Sequence, residues 1–221
     1  MIFWPPAKAS FAAERSTVMN YARFWLKISI NTPPYNDRFV EVDEYRRLLN
    51  ACPCQEWRVI ITLVRIGGLR CPSEVLRVRW NEIHWQKNFF AVTSPKLEHH
   101  KGKGWRYVPI FPEIRQELEA LRSTYQGEEP EFVINRYRDP MQNLGTQFAR
   151  ISKSAGLEKI PRPFDNMRAS RATEVNAEFG TKNEEAWLGH SKKIALKHYL
   201  MVRDGDYAKA AGLKLTENSY Q

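Results

Sequence analysis

Between residues 82 and 110 the apolar pattern of this chain takes on the character of strands. EIHW, FFAVT and WRYVPI are short segments rich in aromatic and β-branched residues, and a polar loop over Lys96–Gly104 joins the last two. Such runs, bounded by polar residues, predict a small antiparallel sheet in the middle of the chain. Almost everything around it reads as helix. The fold class expected is therefore mainly α with a small antiparallel β-sheet (α+β).

Ahead of the sheet, Asp43 is placed to cap a helix that runs to about Ala51, where Pro53 ends it. A second helix is predicted over about 56–66, apolar at Ile60, Ile61, Leu63 and Val64, and it stops at Gly67-Gly68. Pro72-Ser73-Glu74 opens a short helix to about Val78. Residues 16–30 begin with a Ser/Thr cap and carry Val18, Tyr21, Ala22, Trp25 and Leu26 at helical spacing, while 31–37, with Pro33-Pro34, reads as a linker. After the sheet, Pro112 begins a helix with Ile114, Leu118 and Leu121 on one face. FVIN, residues 132–135, reads as a short strand. Helices are then predicted over about 141–155, 166–178, 183–189, 191–199 and 205–212.

With 221 residues, 43% hydrophobic and 27% charged, the chain suits one compact domain with a short appendage and excludes bulk disorder. No stretch approaches ~18 consecutive apolar residues, so no membrane span is expected. The opening MIFWPPAKASFAA lacks a basic n-region and is broken by Pro5-Pro6, which argues against a signal peptide. Three cysteines, an odd number, fit a reducing, cytoplasmic location better than a disulfide scaffold. Cys52-Pro53-Cys54 with the distant Cys71 lacks the paired spacing of a zinc site. The charge balance is more telling: 34 basic against 25 acidic residues give +9, and residues 58–107 alone carry +7 of it. Positive charge concentrated in this way implies a polyanionic partner, most often nucleic acid.

Four short motifs carry candidate chemistry, and each has a plain structural reading when taken alone. Gly67-Gly68-Leu69-Arg70, followed by Ser73-Glu74, is by itself a helix corner with a solvated arginine. Asp165-Asn166-Met167-Arg168, with Arg171 beyond it, is a basic helix face. Leu188-Gly189-His190-Ser191 is a helix end with a histidine, and His198-Tyr199 is a packing tyrosine.

Together and in this order the motifs say more. GGLRCPSEVLRVRW, SPKLEHHKGK with VPIFPEI, NMRASRATEV, and AWLGHS with KHYLMV fall in register with one another. The pattern resembles the tyrosine recombinase (phage integrase) family, in its planctomycete-type bacterial branch, from about Arg38 to Ala211. The resemblance implies a catalytic domain over 38–221. It also implies that residues 1–37 are the last helix and linker of a core-binding domain that is otherwise largely missing.

By position, the resemblance makes Arg70 and Arg168 the arginines that clamp the oxygens of a scissile phosphodiester, a task suited to planar bidentate donors. Tyr199 is implied as the nucleophile that forms a 3′-phosphotyrosyl link. Lys96 is implied as the acid that protonates the leaving 5′-oxygen, with Lys101 and Lys103 as alternatives or as phosphate contacts. His190 is implied as a hydrogen-bond donor to the phosphate, and Glu74 as the partner that orients an arginine. Arg106 and Arg171 are further candidates for DNA contact. Tyr207, seventeen residues past His190, carries little weight as a second nucleophile.

Asp165 departs from the family, which usually has histidine three residues before the second arginine. The alternatives are an acceptor for the tyrosine proton, a brace for Arg168, or the mark of a weakened enzyme. The function implied is site-specific recombination or integration of DNA. The alternative is a catalytically weakened or inactive DNA-binding remnant. No cofactor is implied, because the bond energy is kept in the phosphotyrosine, and no GxxxxGK[ST] or HExxH pattern occurs. The partners implied are double-stranded DNA and further copies of the chain, as dimer or tetramer on DNA, with residues 205–213 docking on a neighbour.

Overall fold

The computed structural model describes residues 38–93, 104–139 and 142–189, all within the second of the chain's two units, Asp37–Gln221. Outside the described residues lie the helix expected at 16–30, the linker, Lys96, Lys101, Lys103, His190 and Tyr199. The helices expected over 191–199 and 205–212 lie outside them as well.

Six helices and a three-stranded antiparallel sheet make up the described fold. Helix α1 spans Val42–Asn50. It begins two residues earlier than an Asp43 cap would put it, because Glu41 and Glu44 form a reciprocal capping box; the Glu44 carboxylate accepts the Glu41 N–H at 3.1 Å. Asp43 falls in the first turn, where a negative charge suits the helix dipole.

Helix α2, Gln55–Arg65, is the centre of the core, buried from Val59 through Arg65. Ile60, Ile61, Leu63 and Val64 are wholly shielded from solvent, and burial stabilises by about 1.5–3 kcal/mol for each such side chain. A helix apolar on all sides has to be wrapped, and α1, α3 (Pro112–Arg122) and α5 (Pro163–Phe179) do the wrapping. Arg58 ties α2 to α3 through a forked pair with Glu117 at 2.8 and 2.6 Å. Arg65, also wholly buried, ties α2 to α5 through Glu174 at 2.8 and 2.5 Å. The small residues Ala169, Ser170, Ala172 and Thr173 line the buried part of α5. They leave room for its close approach to α2.

Strands β1 (Ile83–His84), β2 (Phe89–Thr93) and β3 (Trp105–Pro109) pair in sequence order, with Phe90 opposite both Ile83 and Val108. The inner face carries Ile83, Phe90, Val92, Arg106 and Val108. On the other face His84, Phe89, Tyr107 and Trp105 make successive ring contacts at 4.8, 4.6 and 4.8 Å.

Two expected elements come out differently. The segment 132–135 makes one bridge, Arg79 with Phe132, and no strand, because the partner segment turns into a 3-10 helix at Trp80. Val133 and Ile134 are both fully buried, so the run does not alternate as a half-buried strand would. The short helix after Pro72 is a 3-10 turn over Val75–Arg77. Helix α4 covers Gly145–Ser154, and α6 covers Thr181–Leu188. Among the described residues, no helix is long and apolar enough to cross a membrane.

Candidate active site

The double glycine that ends α2 turns the chain so that Arg70 leaves the core. Gly68 sits at φ +66°, and a Cβ there would lie 3.0 Å from the Leu188 side chain. The end of α2 and the end of α6 are therefore packed in direct contact. Gly189, which ends α6 at φ +69°, is equally close to β3, since a Cβ would come within 2.9 Å of Arg106 Cδ.

Glu74 occupies the centre of this junction, with its side chain fully buried. One oxygen accepts from Arg70 Nη1 at 2.6 Å and from Arg106 Nη1 at 2.9 Å. The other accepts the Arg70 backbone N–H and Arg106 Nη2, both at 2.8 Å, and Arg168 Nη1 lies 3.9 Å from it. Burial pushes this carboxyl up, but the Arg106 guanidinium beside it, joined by Arg168 and Arg70, outweighs that and holds it at about 2, down from an ordinary 4.5. Glu74 stays ionised throughout the neutral range and is the shared acceptor of Arg70 and Arg106.

The same arginines cap the end of α6. Arg106 Nε donates to the Trp187 carbonyl at 2.7 Å, Arg168 Nη2 to that of Leu188, and Arg70 Nη2 to that of Gly189 at 3.3 Å. The last carbonyls of a helix have no partner within it and carry its negative dipole end, so guanidinium groups are suited to meet them. Arg168 Nη1 also donates to the Gly68 carbonyl, joining the two helix ends.

Three cations around one carboxylate leave an excess of positive charge. Arg70, with a quarter of its side chain exposed, presents it outward. Arg168, 2% exposed, supports from beneath. This arrangement is suited to hold an anionic group.

Asp165 stands apart. It lies in the first turn of α5, more than half exposed, and accepts from Arg162 Nε and Nη2 at 3.1 and 2.9 Å. Its ion pair is with Arg162 and not with Arg168, so bracing of Arg168 has no geometric ground.

Arg106 and Arg171, expected at the DNA surface, are each only 8% exposed. Arg106 is committed to Glu74 and Trp187. Arg171 lies over the Phe111 ring at 4.1 Å and meets Glu174 at 3.3 Å. Burial pushes the Arg171 guanidinium down, against the pull of Glu174. The signal for Arg106 was present in the strand: it shares the inward parity of Val108 and Ile110, while Trp105 and Tyr107 face out. No motif marked the carbonyls at the end of α6, which are backbone groups.

Cys52, Cys54 and Cys71 are free thiols. Among the described residues, no group of His, Cys, Asp and Glu is placed to hold a metal ion.

The phage integrase family model matches residues 38–205. Among solved structures, the chain resembles XerA recombinase at 20% identity and TM-score 0.63, over 90% of this chain and 73% of that one. It resembles the Tn1549 transposon integrase in complex with circular intermediate DNA at 18% identity and TM-score 0.57, over 92% of this chain and 75% of that one. A lambda integrase dimer bound to a core site matches at 19% identity and TM-score 0.54, over 86% and 74%. These likenesses establish the fold. No curated protein matches the chain.

Proposed function

Because the chain belongs to the phage integrase family, we propose that it cleaves and rejoins double-stranded DNA through Tyr199. The single observation that carries this reading is the cluster of Arg70, Arg106 and Arg168 around the buried, ionised Glu74. It supplies fixed donors for the negative charge that grows on a phosphodiester in its transition state.

In this reading Arg70 and Arg168 hold the phosphate, and His190, the residue after Gly189, adds a donor. The Tyr199 oxygen bonds to phosphorus as the bond to the 5′-oxygen breaks, and Lys96 gives that oxygen its proton. The reverse attack by a 5′-hydroxyl releases Tyr199 and rejoins the strand. Asp165, at the exposed edge of α5, is left as acceptor for the tyrosine proton. Lys101 and Lys103 contact flanking phosphates, and copies of the chain assemble on DNA as a dimer or tetramer.

Covalent trapping tests this. The full chain is incubated with nicked suicide duplexes taken from the DNA flanking its own gene, beside the Tyr199→Phe variant. An SDS-resistant adduct with the wild type and none with the variant is the expected result. Salt-sensitive DNA binding without an adduct would favour a binding-only protein and contradict the proposal.

A further inference from the structure

We propose that Arg106 is a positioning residue for strand cleavage, fixing Glu74 and the last turn of α6 in one arrangement that sets Arg70. The inference rests on the reading of Tyr199 chemistry above, and it gives Arg106 a role other than contact with DNA.

Arg106 projects from the inward face of β3, where Nε, Nη1 and Nη2 are all engaged by groups of the protein itself. Its donors go to two different elements. Nη1 and Nη2 lie parallel against the Glu74 carboxylate at 2.9 and 2.8 Å, and Nε holds the Trp187 carbonyl at 2.7 Å. Arg70 uses the same two anchors. It shares one Glu74 oxygen with Arg106, at 2.6 Å, and its other arm reaches the Gly189 carbonyl at 3.3 Å. Gly189 in turn lies against Arg106 Cδ, too close for a side chain.

These two supports of Arg70 are thus held in place by Arg106. Without it, Glu74 keeps one close guanidinium partner, Arg70 itself, and is free to draw that arginine inward from the phosphate. The last turn of α6 loses the tie to β3 that Arg106 makes at the Trp187 carbonyl in the same event. A lysine cannot substitute, because one ammonium cannot span a forked carboxylate pair and a carbonyl on another element.

The test uses the full chain and the same nicked duplexes, with Arg106→Met, Arg106→Lys, Glu74→Gln and the double variant Arg106→Met/Glu74→Gln. Single-turnover adduct formation, DNA affinity across a salt series, and thermal unfolding are measured for each. Arg106→Met is expected to slow cleavage on the order of a hundredfold, as misplacement of a reacting group does. DNA affinity and its salt slope stay unchanged, and Arg106→Lys does not restore the rate. The double variant is no slower than Glu74→Gln alone, since the two residues act as one unit.

A folded Arg106→Met or Arg106→Lys protein that cleaves at the wild-type rate overturns the inference, even if its melting temperature falls. So does weakened binding with a salt slope shallower by about 0.9, which would mark Arg106 as a phosphate contact. Where Arg106→Met fails to fold, Arg106→Lys carries the test. An adduct from the wild type with no effect of Arg106 removes this inference alone; absence of any wild-type adduct removes the Tyr199 reading and this inference with it.

Discussion

Nη1 of Arg168 donates to the backbone carbonyl of Gly68, one hundred positions earlier in the chain. Through this bond the turn that presents Arg70 and the helix that carries Arg168 are fixed to each other. The proposed phosphate clamp is therefore set by backbone geometry at the end of α2 as much as by the arginines themselves.

That dependence makes Gly68 a sensitive position. Gly68→Ala places a Cβ 3.0 Å from Leu188 at a φ of +66°. The left-handed conformation costs about 1–2 kcal/mol for a residue with a Cβ, and overpacking against Leu188 adds about 1–3 kcal/mol. Urea unfolding should show a loss of about 2–5 kcal/mol, with slower adduct formation. A change under about 0.5 kcal/mol would mean that the two helix ends are not packed as described.

Glu74 predicts an acid-sensitive limb of stability. Its folded-state value of about 2 lies below the ordinary 4.5, so the unfolded chain binds its proton first as pH falls. The stabilisation is complete above about pH 4.5 and is lost as pH drops towards 2. In Glu74→Gln that part of the pH dependence should disappear, and the variant should lose about 3 kcal/mol at neutral pH because Arg106 is left buried beside a neutral amide. Urea midpoints compared at pH 7 and pH 3 check both statements. Parallel pH profiles for the two proteins would contradict them.

Asp165 behaves as a surface group in the structure, paired with Arg162 at 2.9 Å. Asp165→Asn should change stability by less than about 1 kcal/mol, the scale of an exposed pair at a helix start. Removing a negative charge from the exposed first turn of α5 should also tighten DNA binding, and more so at low salt. A large loss of stability would show that Asp165 supports the core after all.

The thiols give a chemical readout of packing. Burial pushes Cys52 up to about 12 and pushes Cys71 up as well, with Asp165 adding to the latter. Alkylation by iodoacetamide at pH 8 should therefore be slow at both in the native protein and fast in urea, as followed by peptide mass spectrometry. Rapid native labelling of Cys71 would show that the turn holding Arg70 opens readily.

The sequence carried the fold further than it carried the site. The three strands at 83–84, 89–93 and 105–109 fall within the segments read from aromatic and β-branched runs, because local side-chain chemistry decides such pairings. The residues around 132–135 read as a strand for the same reason, yet their partner had turned away, a fact that lies elsewhere in the chain. At the site, Arg70, Glu74 and Arg168 were legible as motif residues, and the structure brings them together. Arg106 and Arg171 read as candidates for DNA contact, whereas ion pairing to Glu74 and Glu174 lets both be buried. Charge counts do not distinguish a solvated arginine from one matched to a carboxylate far away in sequence. The strand parity of Arg106 does.

The most direct measurement for the central claim is the position of the covalent bond. The trapped adduct is digested with trypsin and a nuclease, and the peptide that retains a nucleotide is identified by mass spectrometry. The account predicts the label on the fragment over 198–203, HYLMVR, at Tyr199. A label on the fragment over 204–209, DGDYAK, at Tyr207, or on no tyrosine, would contradict it.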